Sequence, residues 1–367
     1  LSLHNMPPMR APRLAPALLG MLVAGALFAG CGGDSETGES TPPDAEAAPS
    51  RPAPPKSEFP SARNRTLRQV LKAADGRAAA VVTPAAEAFY PGVNRYPFGV
   101  SDGENGGIDD AEVALYFAKV PTPGPEARSR SGNRGPTAKA QQQALDQPAV
   151  GPFPASIESL ATKPAFRAGS TVADPDAAGV VYSAQLNLPS AGEWRIAAIV
   201  KEDGELKGTP PRTAVVGEFE RIPRPGEKAP SIHTPTAQDA GGDLSKITTR
   251  TPPDSQNKVD YAEALGKEPI VLLFATPEFC QSRVCGPVVD VAEQAKEEYG
   301  DKAAFIHMEI YNDNDPAKRV RPQVRAFHLP TEPYLFTIDR GGVVRATVEG
   351  PFGLKLMHEA VDKAISG

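Results

Sequence analysis

Residues 270–287 read IVLLFATPEFCQSRVCGP, and the fold of the C-terminal third of this 367-residue chain turns on them. Ile270-Val271-Leu272-Leu273-Phe274 is an unbroken apolar run of strand length, which predicts a strand buried on both faces, as in a parallel sheet. Two cysteines follow, Cys280 and Cys285. After Gly286-Pro287 the period changes: Val288, Val291, Ala292, Ala295 and Tyr299 share one helical face, while Asp290, Glu293, Lys296 and Glu297 point away from it. The spacing predicts a helix that opens at Pro287, suited to a first helical position, and closes at Gly300. Further on, residues 303–310 predict a second strand, 316–327 a helix, 334–338 a third strand and 343–348 a fourth, after the turn Asp339-Arg340-Gly341-Gly342. Leu354, Met357, Val361 and Ile365 predict a closing amphipathic helix.

Four residues, Gln281 to Val284, separate the two cysteines. On a continuous helix, positions five apart lie about 8.5 Å apart at Cα, and a disulfide tolerates at most about 7 Å. If the two cysteines bond, the loop between them must turn outside the helix. Cys285 then stands at the helix entrance, where unpaired amides and a neighbouring cation such as Arg283 lower a thiol's pKa. Glu278 opposes that effect.

The order strand-helix-strand-helix-strand-strand-helix resembles the layout of a thioredoxin, and the likeness reaches individual residues. FATPEFCQSRVCGP (274–287) is similar to the family's strand-to-helix corner, where an aromatic, here Phe279, precedes the nucleophilic cysteine. LPTEPYLF (329–336) is similar to the segment that carries its cis-proline, making Pro333 the candidate, with Pro330 in competition. The likeness covers residues 246–367. It implies an α/β thioredoxin-like domain, disulfide exchange without a bound cofactor, Cys280 as nucleophile and Cys285 as resolving partner, with Phe279, Arg283, Gly286 and Pro287 in support. The alternative assignment stays open, because Cys285-Gly286-Pro287-Val288 resembles the family's Cys-Gly-Pro-Cys with Val in last place. Two features depart from the family. Its cysteines are two residues apart, not four, and Leu272 and Leu273 occupy the strand region where many thioredoxins bury an acid, which implies slow reaction.

Other chemistries fit the same cysteines. A disulfide in an exported domain also serves as a structural clip, making this a binding or scaffold module. Copper proteins of the Sco type pair two cysteines with a distant histidine, and thiolates favour Cu(I); His307, His328 and His358 are the candidates, none well spaced. A peroxiredoxin pattern is missed by one position, Pro277 and Ser282 being out of step with Cys285. No metal ligand set is predicted.

Upstream, residues 223–253 are rich in Pro, Gly, Thr and Asp and predict a linker. Residues 63–222 predict an all-β domain: Val113, Leu115 and Phe117, then Tyr182, Ala184, Leu186 and Leu188, then Trp194, Ile196, Ala198 and Val200, repeat with a period of two. Turns at Asp102-Gly103, Pro189-Ser190-Ala191-Gly192 and Asp203-Gly204 divide them, predicting a β-sandwich with Trp194 as a core anchor. Residues 121–154 predict a loose loop insert. Gly179 to Tyr182 and Gly192-Glu193-Trp194 resemble immunoglobulin-like modules of extracytoplasmic bacterial proteins. With no titratable cluster or phosphate loop, the domain is expected to be an adaptor.

The N-terminus carries Arg10 and Arg13, an apolar run over 14–28, and Phe28-Ala29-Gly30-Cys31. The basic start, short apolar core and small residues describe an export signal, since a span needs about 20 apolar residues. It resembles a bacterial lipoprotein signal, which implies a signal peptide over 1–30 and lipid on Cys31; an ordinary secretory signal with a free cysteine is the alternative. Residues 31–62 hold little to bury and predict a disordered spacer. The net charge of −6 argues against a nucleic-acid partner. The chain is thus expected to be a multidomain, lipid-anchored protein on the outer face of the cell membrane, working on exported proteins that carry thiols or disulfides.

Overall fold

In this computed structural model the described residues are 49–74, 80–103, 106–121, 138–174, 177–280 and 282–367. Arg10, Arg13, Cys31 and the signal lie outside them. Two antiparallel sheets make up the N-terminal part. Strands β1 (Val81–Pro84), β2 (Gly92–Ser101), β5 (Ser156–Ser159) and β6 (Val180–Leu188) pair in the order β1-β2-β6-β5. Strands β3 (Glu112–Lys119), β4 (Val150–Pro154), β7 (Gly192–Glu202) and β8 (Glu205–Gly208) pair as β4-β3-β7-β8, with β9 (Arg212–Val216) also on β7. Alternate residues of both sheets meet in one core, with Tyr96, Phe98 and Tyr182 from the first and Leu115, Phe117 and Trp194 from the second. Trp194 packs edge-on to Phe117 at 5.3 Å and donates its indole N–H to the Ser190 carbonyl at 3.0 Å, so its polar end is satisfied inside the core.

The alternation predicted for β3 is only half the account, because every residue from Val113 to Ala118 is buried. Helix α1 (Leu67–Lys72) covers the outer face of that sheet, with Leu67, Val70, Phe59 and Ala62 on Ala114, Tyr116 and Ile199. This corrects the spacer expected over 31–62 for residues 49–62; residues 31–48 lie outside the described ones. From residue 50 the chain is packed: Arg51 pairs with Ile157, and the Tyr116 hydroxyl donates to the Pro60 carbonyl at 2.7 Å. Phe59 and Ala62 supply the apolar area that composition concealed. The loose insert expected over 121–154 is corrected in the same way for residues 138–154, while 122–137 lie outside the described residues. Residues 138–154 hold helix α2 (Ala138–Gln143) and β4, and Phe153 stacks on Phe117 at 5.2 Å.

The C-terminal part is a mixed four-stranded sheet of β10 (Ile270–Phe274), β11 (Ala304–Met308), β12 (Tyr334–Ile338) and β13 (Val344–Glu349), in the order β11-β10-β12-β13. β10 runs parallel to β11 and antiparallel to β12. Helices α5 (Cys285–Tyr299) and α7 (Leu354–Ser366) cover one face through Val288, Ala292, Met357 and Val361. Helices α4 (Tyr261–Ala264) and α6 (Pro322–Ala326) cover the other, with Phe327 between Phe274 and Phe336. This is a thioredoxin-like layout. Two boundaries differ from expectation. The central helix begins at Cys285, not Pro287, and the helix expected over 316–327 is confined to α6, because Val320 bridges Tyr311 in extended backbone and Pro322 takes the first helical turn.

The linker expected over 223–253 is corrected as well. It wraps the C-terminal sheet, where the Val344 N–H donates to the Glu227 carbonyl at 2.9 Å, and Arg250 is buried against Asp290 of α5 at 2.9 Å. Arg250 also donates to the carbonyls of Pro252 and Phe166, at 2.8 and 2.7 Å. The two halves are therefore in direct contact. Glu349 on β13 accepts from the backbone N–H groups of Glu87 and Ala88 at 2.8 and 2.9 Å. Next to it Gly350 has φ +77, and a Cβ there would meet the Ala85 carbonyl at 2.2 Å, so only glycine lets the chains close.

Candidate active site: the Cys280 and Cys285 dithiol

The apolar strand β10 ends at Phe274, and the chain then crosses the end of the sheet through Ala275 to Phe279 before reaching Cys280. Cys285 is the first residue of α5, and Val284 precedes it as cap without a side-chain bond. The loop between the cysteines turns outside the helix, with Arg283 at φ +57. Both cysteines are free thiols, hydrogen-bonded to each other, so the bridge expected of the pair is open here. Cys280 is 5% exposed and Cys285 is fully enclosed.

Their electrostatics differ in sign. The hydrogen bond from Cys285 draws the Cys280 pKa down; burial opposes it, and Ser282 with the N–H groups of Val284 and Cys285 adds to the fall, leaving about 6. The opening amide of the helix thus serves Cys280, as helix N-termini do for thiolates. Cys285 moves the other way, raised by burial first, then by donating to Cys280, by the Cys280 charge and by Glu332. The entrance position expected to activate Cys285 does not do so, because enclosure outweighs the helix dipole. Arg283, expected to supply a cation, is turned to Asp174 at 3.1 Å.

A carboxyl group missed by sequence reasoning completes the site. Glu332 is half-buried, with Oε2 at 3.7 Å from Cys285 Sγ and accepting from the Thr276 N–H at 2.8 Å. Burial raises its pKa well above the ordinary carboxyl range, with the charges of Cys280 and Glu309 adding to the rise. A carboxyl group thus stands beside Cys285 although Leu272 and Leu273 supply none. The Glu332 to Pro333 peptide is cis. The signal in the sequence was a lone carboxylate inside LPTEPYLF, where neighbours on both sides are destined for the core and an ionisable group is costly without a task.

His307 on β11 bonds Asp254 through Nδ1 at 2.8 Å and the Ala275 carbonyl through Nε2 at 3.0 Å. Burial pulls its pKa down, but the Asp254 charge outweighs it and carries the value to about 9, while Asp254 is held below the ordinary range. With both nitrogens engaged and the ring enclosed, His307 is not placed to bind copper. His358 bonds Glu298 at 2.8 Å, and His328 is exposed at φ +55. Among the described residues no three His, Cys, Asp or Glu side chains converge as a metal set. Phe279 packs edge-on to Tyr311, and Pro287 is buried in α5.

Alkylation of the reduced protein is the direct check on these charges. The rate at Cys280 should climb with a midpoint near pH 6 and level off above it, where an ordinary thiol climbs around pH 8.5. In Cys285→Ala the midpoint should rise, because the largest cause of the depression is gone.

No family model matches the chain, and no curated protein matches it. A search of solved structures finds likeness to the crystal structure of a thiol:disulfide interchange protein, a thioredoxin family protein from Chlorobium tepidum TLS, at 18% identity and a TM-score of 0.28, over 39% of this chain and 97% of that one.

Proposed function

We propose that the chain is a thiol-disulfide oxidoreductase of thioredoxin fold, anchored by lipid on Cys31 at the outer face of the cell membrane and acting on exported proteins. The observation that carries this reading is the asymmetric dithiol: a thiol with its pKa depressed to about 6 beside an enclosed thiol that touches a half-buried carboxyl group. Cys280 is the nucleophile. Its thiolate attacks a client disulfide, a mixed disulfide forms, and the departing client thiolate is protonated from solvent. Loss of the Cys280 charge lowers the pKa of Glu332, which gives its proton to solvent, and lowers that of Cys285 as well, so the Glu332 carboxylate can accept the Cys285 proton. The Cys285 thiolate attacks Cys280 sulfur and releases the second client thiolate, which is protonated from solvent. Two electrons pass from the dithiol to the client, and no bound cofactor is used. Pro333, cis and adjacent to Glu332, offers the facing backbone edge to the client. The two-sheet packing of residues 81–216 supports an immunoglobulin-like adaptor role for the N-terminal half.

In the mature chain, Cys285→Ser should trap a covalent adduct with a disulfide-bearing protein, released by dithiothreitol. Absence of the adduct, with Cys280 still alkylated at low pH, would sink the catalytic reading. The second reading, a scaffold with a structural bridge, is favoured by the low exposure of both sulfurs. It requires a reduction potential below about −300 mV, where structural disulfides lie.

A further inference from the structure

The other half of the molecule packs against the segment that holds the dithiol. The connection between β5 and β6 places helix α3 (Gly169–Ala173) on the opening turn of α5, and four contacts fix it there. The Ala168 N–H donates to the Asp290 carboxylate at 3.1 Å. A Cβ at Gly286 would stand 2.9 Å from the Thr171 hydroxyl, so the residue after Cys285 is glycine where α3 presses on it. Asp174 pairs with the Arg283 guanidinium at 3.1 Å, and the Ala178 N–H donates to the Arg283 carbonyl at 3.1 Å. Ala178 packs into the same apolar cluster as Cys280, Val284 and Cys285.

We infer that the sandwich domain is a built-in gate on the dithiol: residues 168–174 with Ala178 form a latch on Arg283 and Gly286 that must release before a client disulfide reaches Cys280. Three observations agree on this. Cys280 carries the activated thiol yet is only 5% exposed. The latch holds Arg283 and Gly286, on either side of Val284 and Cys285, and so holds the backbone that must shift for the two sulfurs to bond. Part of its grip is an ion pair whose Arg283 side chain is 51% exposed, so it can part without uncovering a dry charge. The purpose of the gate rests on the oxidoreductase reading, but the closure itself does not.

Two latch variants of the mature chain test it, Asp174→Arg, which sets two cations face to face, and Ala178→Pro, which deletes the N–H that holds the Arg283 carbonyl. Asp203→Arg, in the turn between β7 and β8, is the control. The alkylation rate of Cys280 at pH 7 should rise about tenfold in both latch variants, as expected when a local closing contact is lost, and stay level in the control. The midpoint of the pH profile must remain near 6. A midpoint moved to that of an ordinary thiol, about 8.5, means the site has unfolded rather than opened, and overturns the gate. An unchanged or slower rate overturns it too. Alkylation needs no client, so failure of client reduction in a separate assay would count against the oxidoreductase reading and leave the gate standing.

Discussion

Glu332→Gln is expected to leave formation of the mixed disulfide within a few-fold of the parent and to slow its resolution by about 10²–10⁴-fold, the usual span for a positioned proton acceptor. The amide keeps the shape of the side chain and can still accept from the Thr276 N–H, but at working pH it cannot take the Cys285 proton across the 3.7 Å contact. Rapid-quench kinetics with a disulfide client separates the two steps, and the intermediate should accumulate. Thermal stability should hold or rise, since a neutral amide spares the burial that lifts this carboxyl group. A lower melting temperature with both steps slowed equally would assign Glu332 a packing role only.

The second large effect concerns the ion pair between Arg250 and Asp290, whose side chains are 5% and 2% exposed. Removing one member of such a buried pair leaves the other uncompensated, which costs about 3–5 kcal/mol. Asp290→Ala or Arg250→Ala should lower the denaturation midpoint accordingly. The pair itself does not fully offset its own desolvation: burial holds the Asp290 carboxyl above its ordinary pKa in spite of Arg250 and the Ala168 N–H. The double variant Arg250→Met with Asp290→Leu should therefore regain most of the loss. Chemical denaturation of the three variants measures both halves of the claim, and a double variant no better than either single one would refute it.

How much of this was legible in the chain divides along physical lines. Elements that bury a continuous apolar run or a strict period announced themselves, as with β10 and the face of α5 from Val288 to Ala295. Segments whose order comes from a few contacts did not. The stretches 50–62 and 223–253 have the composition of spacers, and they are held by Phe59, Ile222, Arg250 and backbone pairings that only the folded molecule supplies. At the site, the cysteines and Pro333 stood out by residue type and spacing. Glu332 did not, because its meaning depends on a neighbour 47 positions away. Arg283 misled for the same reason, since its charge answers to Asp174 across the domain boundary.

Glu349 has a consequence for how this protein can be handled. One of its oxygens takes the Glu87 N–H and the Thr331 hydroxyl, the latter at 2.7 Å, so the residue just before Glu332 is braced through a carboxylate on backbone from the opposite half. A fragment cut near residue 223 would bring that oxygen into water and leave the acid beside the sulfurs with a slack support. The C-terminal half is not a detachable cassette, and dissection by truncation would misreport the chemistry of its cysteines.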